Sequence, residues 1–196
     1  MGLDLEGMVD MKRIVLRFYS YTRALLPTPD FNLMDTATVT LSKVLKAGGV
    51  HFDETFIDYQ VQEAVSLLQS DKPERYAGVL VLKALAPHSP NYFYLHIPLV
   101  LEKLTYPLRD SRIVVRDAAA ELLALCLDIM HQRDRQSKAP ILHQILQEAH
   151  NGLKSTSVDV IHGSLIVYRE LLRHSGMVCR SSLHVHNSLT NDLYSS

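Results

Sequence analysis

The sequence has few of the residues that break a chain or cross-link it: its 196 residues include 8 glycines, 8 prolines and 2 cysteines. This low glycine and proline content excludes the collagen-like and low-complexity classes, so most of the chain should fold. The two cysteines, Cys126 and Cys179, cannot supply the disulfide framework of a small secreted domain. Their scarcity favours a reducing, intracellular setting.

Long apolar runs and an excess of one charge are also absent. Every apolar run is broken by a charge or a proline well before the roughly 18 residues needed to span a bilayer, so we expect no integral membrane segment. The start of the chain has no basic region typical of a targeting peptide. The formal net charge is -1, which gives no long-range field to attract nucleic acid. We therefore expect protein partners and no nucleic acid.

Apolar residues recur at spacings of three and four from about residue 35 to residue 175, and strand-like alternation is nearly absent. This pattern predicts an all-α protein. Asp71 and Glu74 have the spacing of a capping box, and Pro87 and Pro90 are expected to break the chain after the helix that follows. The predicted inner helices lie around Asp35 to Leu45, Arg75 to Ala86, Arg116 to Met130 and His162 to Leu172.

The helical segments also repeat. Arg75-Tyr76-Ala77 aligns with Arg116-Asp117-Ala118 and then with His162-Gly163-Ser164, at offsets of about 41 and 46 residues, which are periods typical of HEAT and armadillo arrays. We therefore predict an α-solenoid of about four helical pairs over residues 35–177. Residues 1–34 are expected to form a weakly defined helical segment, and residues 178–196 a disordered tail.

The stretch from Pro107 to Ala119 resembles the HEAT signature: a proline turn, then Asp110, then Val115-Arg116 leading into small residues. In that family the matching Asp and Arg connect neighbouring repeats through hydrogen bonds. The resemblance therefore implies structural, inter-repeat roles for Asp110 and Arg116. By their place in the repeats, Arg75 and His162 are expected to act in the same way.

A closer resemblance covers about residues 35 to 177. Lys46-Ala47-Gly48-Gly49, the run from Arg75 to Lys83, and the run from Val160 to Leu165 are similar in order and spacing to the N-terminal solenoid of the target of rapamycin (TOR) kinase family, most nearly a fungal form. The polar string after Val178 departs from the family pattern. A truncated gene model explains this polar string better than a functional tail, and Met1 is then expected to be an artificial start.

The resemblance implies a scaffold segment of a large serine/threonine protein kinase that acts in nutrient and growth signalling. Its expected partners are the adaptor subunits of TOR complexes and a second TOR chain. It would reside in the cytoplasm, and by resemblance also in the nucleus or at vacuolar and lysosomal membranes. ATP and Mg²⁺ would belong to a kinase domain missing here, so no catalytic residue and no cofactor are assigned to this chain.

The residues themselves favour no catalytic site. Gly48-Gly49 is the only adjacent glycine pair, and it indicates a helix end better than a phosphate-binding loop. No His-Glu dipeptide occurs, although helical-repeat enzymes that bind iron use such pairs. No metal site is therefore assigned. For the aromatic cluster Tyr92, Phe93 and Tyr94, core packing is one interpretation and a contact with a protein partner is the other.

Two other hypotheses remain open. A stand-alone HEAT adaptor would bind peptides or protein partners in a concave groove, but it needs polar outer faces on its end repeats, and neither end of this chain shows one. A helical-repeat enzyme would carry stoichiometric iron. A segment of a longer solenoid would instead expose apolar end faces and would self-associate or be marginally stable.

Overall fold

A computed structural model of the protein describes residues 3–71, 73–133 and 139–174. Within these ranges 84% of the residues are helical and no strand occurs, which confirms the all-α class. The predicted tail, residues 178–196, lies outside the described residues. The α-helices of the described part are α1 (Leu3–Ala24), α2 (Phe31–Gly48), α3 (Glu54–Leu67), α4 (Glu74–His88), α5 (Pro90–Lys103), α6 (Thr105–Leu108), α7 (Ile113–Arg133), α8 (Ala139–Gly152) and α9 (Val158–Arg173).

The four segments predicted as inner helices are confirmed as helical, since they lie within α2, α4, α7 and α9. Helix α2 begins at Phe31, four residues before the predicted start of the solenoid. Its start is fixed by Asp30, whose Oδ1 accepts hydrogen bonds from the backbone N–H groups of Asn32 (2.9 Å) and Leu33 (3.2 Å). A side chain that caps two otherwise unpaired donors fixes the first turn of a helix.

One local prediction is wrong. Asp71 does not cap α4, because the N-cap position is occupied by Pro73, which makes no side-chain cap bond; the Asp71 carboxylate lies 3.8 Å from Nη2 of Arg75 instead. The predicted break at Pro87 and Pro90 is confirmed, because α4 ends at His88, one residue after Pro87, and α5 begins at Pro90. Pro90 occupies the first position of α5, where its missing N–H is not needed.

The chain divides into two compact units, residues 1–107 and residues 108 onward. In the first unit, α1 packs on α2, α2 on α4, α3 on both α4 and α5, and α5 on α4. Helix α4 is therefore covered by three neighbours, and Tyr76 to Leu82 is buried without interruption. Its approach to α3 depends on Gly78, where an added Cβ would lie 2.7 Å from the carbonyl oxygen of Ala64.

In the second unit, α9 packs on both α7 and α8. The core is formed by α7 side chains such as Leu122, Cys126 and Ile129 and by Ile166 and Leu171 of α9. Consecutive helices thus pack as neighbouring pairs in each unit, as the predicted helical pairs require.

Helix α9 begins against the segment that precedes α7. An added Cβ at Gly163 would collide with the carbonyl oxygen of Leu108, so this close backbone approach requires glycine. The same segment carries Asp110, and this contact places the start of α9 beside it. None of the described helices has both the length and the apolar character needed to cross a membrane.

Candidate functional site

Arg116 lies near the start of α7 and is 7% exposed, although it carries a charge. Its Nε donates to Nδ1 of His162 at 2.9 Å, and its Nη1 donates to Oδ1 of Asp159 at 2.7 Å, both on α9. Nη1 also donates to the backbone carbonyl oxygen of Asp110. A buried guanidinium is stable only when its donors are paired in this way, so Arg116 connects two successive predicted inner helices.

Asp110 is also buried, with 1% of its side chain exposed. Its Oδ1 accepts from the backbone N–H of Arg112 at 3.0 Å, and its two carboxylate oxygens bind the Arg112 guanidinium at 2.9 and 3.1 Å. This bidentate pair fixes the turn that leads into α7, and the turn directs the Asp110 carbonyl towards Arg116. Asp110, Arg116 and His162 therefore meet in one cluster, while their role between repeats stays a prediction.

Asp159 completes the cluster and was missed by the sequence analysis. It lies in the first turn of α9, three residues before His162, so the two side chains share one helix face. The sequence did contain a signal for Asp159, because an acidic residue one turn before the predicted inter-repeat His162 lies on the same helix face and can bind the same arginine. A charge-assisted bond from Arg116 to Asp159 is also stronger than a bond to a neutral imidazole.

Arg75, the fourth predicted inter-repeat residue, lies in the first unit and makes local contacts. Its Nε donates to the carbonyl oxygen of Leu68 at 3.2 Å, at the C-terminal end of α3, and its Nη2 lies 3.8 Å from Asp71. A cation at a helix C-terminus is favoured by the exposed carbonyl groups there. These contacts connect α3 and α4, the two helices of one predicted pair, and an inter-repeat role of Arg75 stays a prediction.

The aromatic cluster on α5 is split by its helix geometry. Phe93 is fully buried, Tyr94 is half-buried, and Tyr92 is 37% exposed. Only the two tyrosines therefore reach the surface of the first unit. The hypothesis of a partner contact now depends on Tyr92 and Tyr94, because Phe93 serves the core.

The described residues contain no group of three or more His, Cys, Asp or Glu side chains arranged to hold a metal ion. Cys126 is fully buried in α7, and burial raises the pKa of its thiol well above the usual range. A thiol that remains protonated in the core is a packing residue and a poor nucleophile.

A groove of about 450 Å³ lies between α7 and α9 in the second unit. Its floor includes Ala120 and Ala124, its α7 side carries Asp117 and Glu121, and its α9 side carries Arg169, Glu170 and Arg173. The sequence analysis did not predict this groove. Charged residues at a spacing of four, such as Asp117 with Glu121 and Arg169 with Arg173, normally indicate a solvated helix face.

The comparisons with known proteins agree on one group of relatives. No protein-family profile matches the chain. It is 36% identical to the serine/threonine-protein kinase tor1 of Schizosaccharomyces pombe over 166 residues, an alignment that covers 84% of this chain. It is 32% identical to the kinase TOR2 of Saccharomyces cerevisiae over 166 residues, an alignment that covers 80% of this chain. The kinase TOR of Arabidopsis thaliana is 30% identical over 83% of the chain. In each case the match spans only 7% of the relative's length.

Proposed function

This chain belongs to the family of the TOR serine/threonine-protein kinases as a homologue of one segment of them, and we propose that the segment is a protein-interaction scaffold. The observation that carries the proposal is the continuous similarity to TOR kinases over 80% or more of an all-helical chain. Helical pairs that pack only on their neighbours present long surfaces, and such surfaces serve partner binding. The similarity favours this role over that of a stand-alone HEAT adaptor.

The relatives are named as protein kinases, and this proposal assigns their phosphoryl transfer to a part of those proteins outside the matched segment. The matched stretch is 7% of their length, and a kinase site needs a phosphate-binding loop, a positioned lysine and carboxylates for Mg²⁺. The chain itself then has no catalytic role. The proposed partners are adaptor subunits of TOR complexes and a second TOR chain, in the cytoplasm or at vacuolar membranes.

The Arg116 cluster has a structural part in this proposal. We assign Arg116, Asp110, Asp159 and His162 to fixing α9 on α7, so that the surfaces of successive helical pairs keep one geometry. The support is the burial of Arg116 together with three directed bonds from one guanidinium. If the connection were flexible, the contact residues would have to be ordered on binding, and this cost would lower the affinity for a partner.

A segment exchange tests the proposal. The matched stretch of the fission-yeast kinase tor1 is replaced by this chain, and the control receives an unrelated all-helical segment of equal length. We expect the first chimera, and not the second, to co-purify with the adaptor subunits of TOR complexes and to support growth. A stably expressed chimera that binds no adaptor would show that this segment does not have the proposed role.

A further inference from the structure

We propose that an acidic segment of a protein partner binds at the C-terminal ends of α2 and α4 in the first unit. Lys43 and Lys46 of α2 and His88 of α4 lie at these ends, and together they are called the basic surface. The inference rests on the proposed scaffold function and specifies which chemistry one of its surfaces recognises.

Helices α2 and α4 run in the same direction, so their C-terminal ends are neighbours. Near the two starts, the hydroxyl group of Tyr76 on α4 donates to Oδ1 of Asp35 on α2 at 3.2 Å. Near the two ends, burial and then the charge of Lys46 on α2 lower the pKa of the His88 imidazole on α4. The charge of Lys46 is therefore felt where the two helix ends meet.

The sequence supplies these helix ends with no acid. From residue 36 to residue 52, and again from residue 75 to residue 101, it contains no Asp or Glu. Lys43 and Lys46 are both exposed, and within the described part of the chain neither makes a hydrogen bond or an ion pair. An occupant that brings carboxylates would give both lysines the partner that the chain does not provide.

Two other lysines of the first unit differ in this respect. Nζ of Lys12 lies 3.1 Å from Oδ2 of Asp53, and Nζ of Lys103 lies 2.8 Å from Oε1 of Glu102. Their charges are already paired within the unit. The charges of Lys43 and Lys46 remain available to a partner.

The acids near the basic surface lie on another helix. Helix α3 carries Glu54, Asp58 and Glu63 and no Lys or Arg, and it packs on α4. Exposed charges act over roughly 8–10 Å at moderate salt. An acidic segment is therefore repelled by α3 and attracted by the basic surface, which directs it to α2 and the end of α4.

Apolar side chains beside the lysines favour a peptide segment over a small ion. Val39 lies one turn before Lys43 on α2 and is 56% exposed, and Val50, just after α2, is 92% exposed. The methylene stems of the lysines extend this apolar area while their ammonium groups stay in water. A segment that carries both acids and an apolar residue can contact both kinds of group.

Two other anionic occupants fit less well. A phosphate ion is typically held by converging backbone N–H groups at a helix N-terminus, whereas the basic surface lies at two C-terminal ends, whose carbonyl groups disfavour an anion. A nucleic acid strand needs several cations along its backbone, and the basic surface supplies two lysines. Lysine stems can instead meet the carboxylates of a short segment from the side of the helix.

The test uses the whole chain and three alanine-rich peptides of about 14 residues, a length at which such sequences begin to form helix. They are acetylated and amidated, and differ only in three central residues on one helix face: glutamate, glutamine or lysine. Binding is followed by the backbone amide signals of the ¹⁵N-labelled protein. We expect the glutamate peptide alone to shift signals of residues 39–50 and of His88, and added salt to weaken its binding.

Charge removal locates the contact. Lys43→Gln and Lys46→Gln should each weaken binding of the glutamate peptide about two- to five-fold, as expected for exposed ion pairs. Lys154→Gln makes the same change at an exposed position of the second unit and should leave the affinity unchanged. These exposed substitutions should leave the fold intact.

Four outcomes would overturn the inference: equal shifts from the glutamate and glutamine peptides, shifts confined to other helices, unchanged affinity in both variants of α2, or tighter binding of inorganic phosphate or an oligothymidylate strand than of the glutamate peptide. Failure of the scaffold proposal is distinguishable. A chimeric kinase that co-purifies with adaptor subunits, although the basic surface ignores the glutamate peptide, would refute only the basic surface. A basic surface that binds this peptide in a chimera that recruits no adaptor would refute only the scaffold.

Discussion

Arg116 on α7 donates a hydrogen bond from Nε to Nδ1 of His162 on α9, over a distance of 2.9 Å. Because a guanidinium has no acceptor, Nδ1 of His162 must be the unprotonated nitrogen, and the imidazole carries its hydrogen on Nε2. The same guanidinium reaches Asp159, so one α7 side chain sets both the position and the tautomer of its α9 partner.

Replacing Arg116 by methionine should destabilise the second unit by about 1–3 kcal/mol, the range for losing bonds to a charged group. Methionine retains much of the stem volume but supplies no donor for His162, Asp159 or the Asp110 carbonyl. Native-state hydrogen exchange of the amides in α7 and α9 measures the effect locally, which is needed because the chain has two units.

The matched control is Arg109→Met, an exposed arginine in the same unit. It should change stability by no more than about 0.5 kcal/mol. Equal losses in the two variants would mean that the Arg116 bonds contribute no more than a surface charge. Arg116→Lys should also destabilise the unit, since an ammonium cannot direct donors along two fixed lines.

Gly163→Ala should cost about 1–3 kcal/mol, because the new methyl group would collide with the Leu108 carbonyl and force α9 away from the start of α7. The control is Gly49→Ala, where an added Cβ meets no atom within 4 Å. That change should stay within about 0.5 kcal/mol. Native-state hydrogen exchange measures each variant locally, in α7 and α9 for Gly163→Ala and in α2 for Gly49→Ala, and equal losses would contradict the close approach at Gly163.

Asp53 provides a prediction about pH. Its Oδ1 accepts from the backbone N–H of Phe56 at 2.9 Å and its Oδ2 pairs with Lys12 at 3.1 Å, and these contacts, the Phe56 bond first, lower the pKa of the carboxyl. A depressed folded pKa means that the stabilisation is complete above the unfolded value of about 3.9 and is lost as pH falls through the folded value.

Asp53→Asn retains an acceptor for the helix cap but removes the charge. The variant should melt at a lower temperature than the natural protein near neutral pH, and the difference should shrink below about pH 4. Asp10→Asn, at an exposed position of α1, serves as the control. Melting curves that keep a constant separation across the whole pH range would show that the charge of Asp53 plays no part.

The sequence was sufficient to predict the helices but not the details that depend on where helices meet. Spacings of three and four residues predicted α2, α4, α7 and α9, because each has apolar residues at helical spacing; in α4 the burial extends around the helix from Tyr76 to Leu82. The capping box at Asp71 failed because Pro73 took the N-cap position, and local spacing does not decide between competing caps. The break between α4 and α5 was predicted correctly, because Pro87 and Pro90 cannot continue the backbone hydrogen bonds of a helix.

The candidate sites divide in the same way. Arg116 and His162 were predicted together from the repeat alignment, which compares equivalent positions. Asp159 and the groove at Glu170 were not, because they depend on side chains from two helices that meet only in the folded unit. A polar helix face has the same sequence pattern whether it faces solvent or another charged face.

Self-association provides the last prediction. On one face of α1 and just after it, Met11, Ile14, Phe18, Tyr21 and Leu25 follow each other at spacings of three and four and are each 49% to 68% exposed. Val15 and Tyr19, between them in sequence, are buried in the first unit. Because water disfavours a continuous apolar stripe of this size, we expect the protein to self-associate as its concentration rises.

Phe18→Glu combined with Ile14→Glu should shift the sedimentation coefficient distribution towards the monomer at every concentration. Val50→Glu introduces one such charge at a side chain that is 92% exposed and lies outside α1, and it should leave the distribution unchanged. If the natural protein sediments as a monomer throughout, the stripe is too weak to associate. If all three proteins associate equally, another surface is responsible, and the α1 stripe is excluded as the cause.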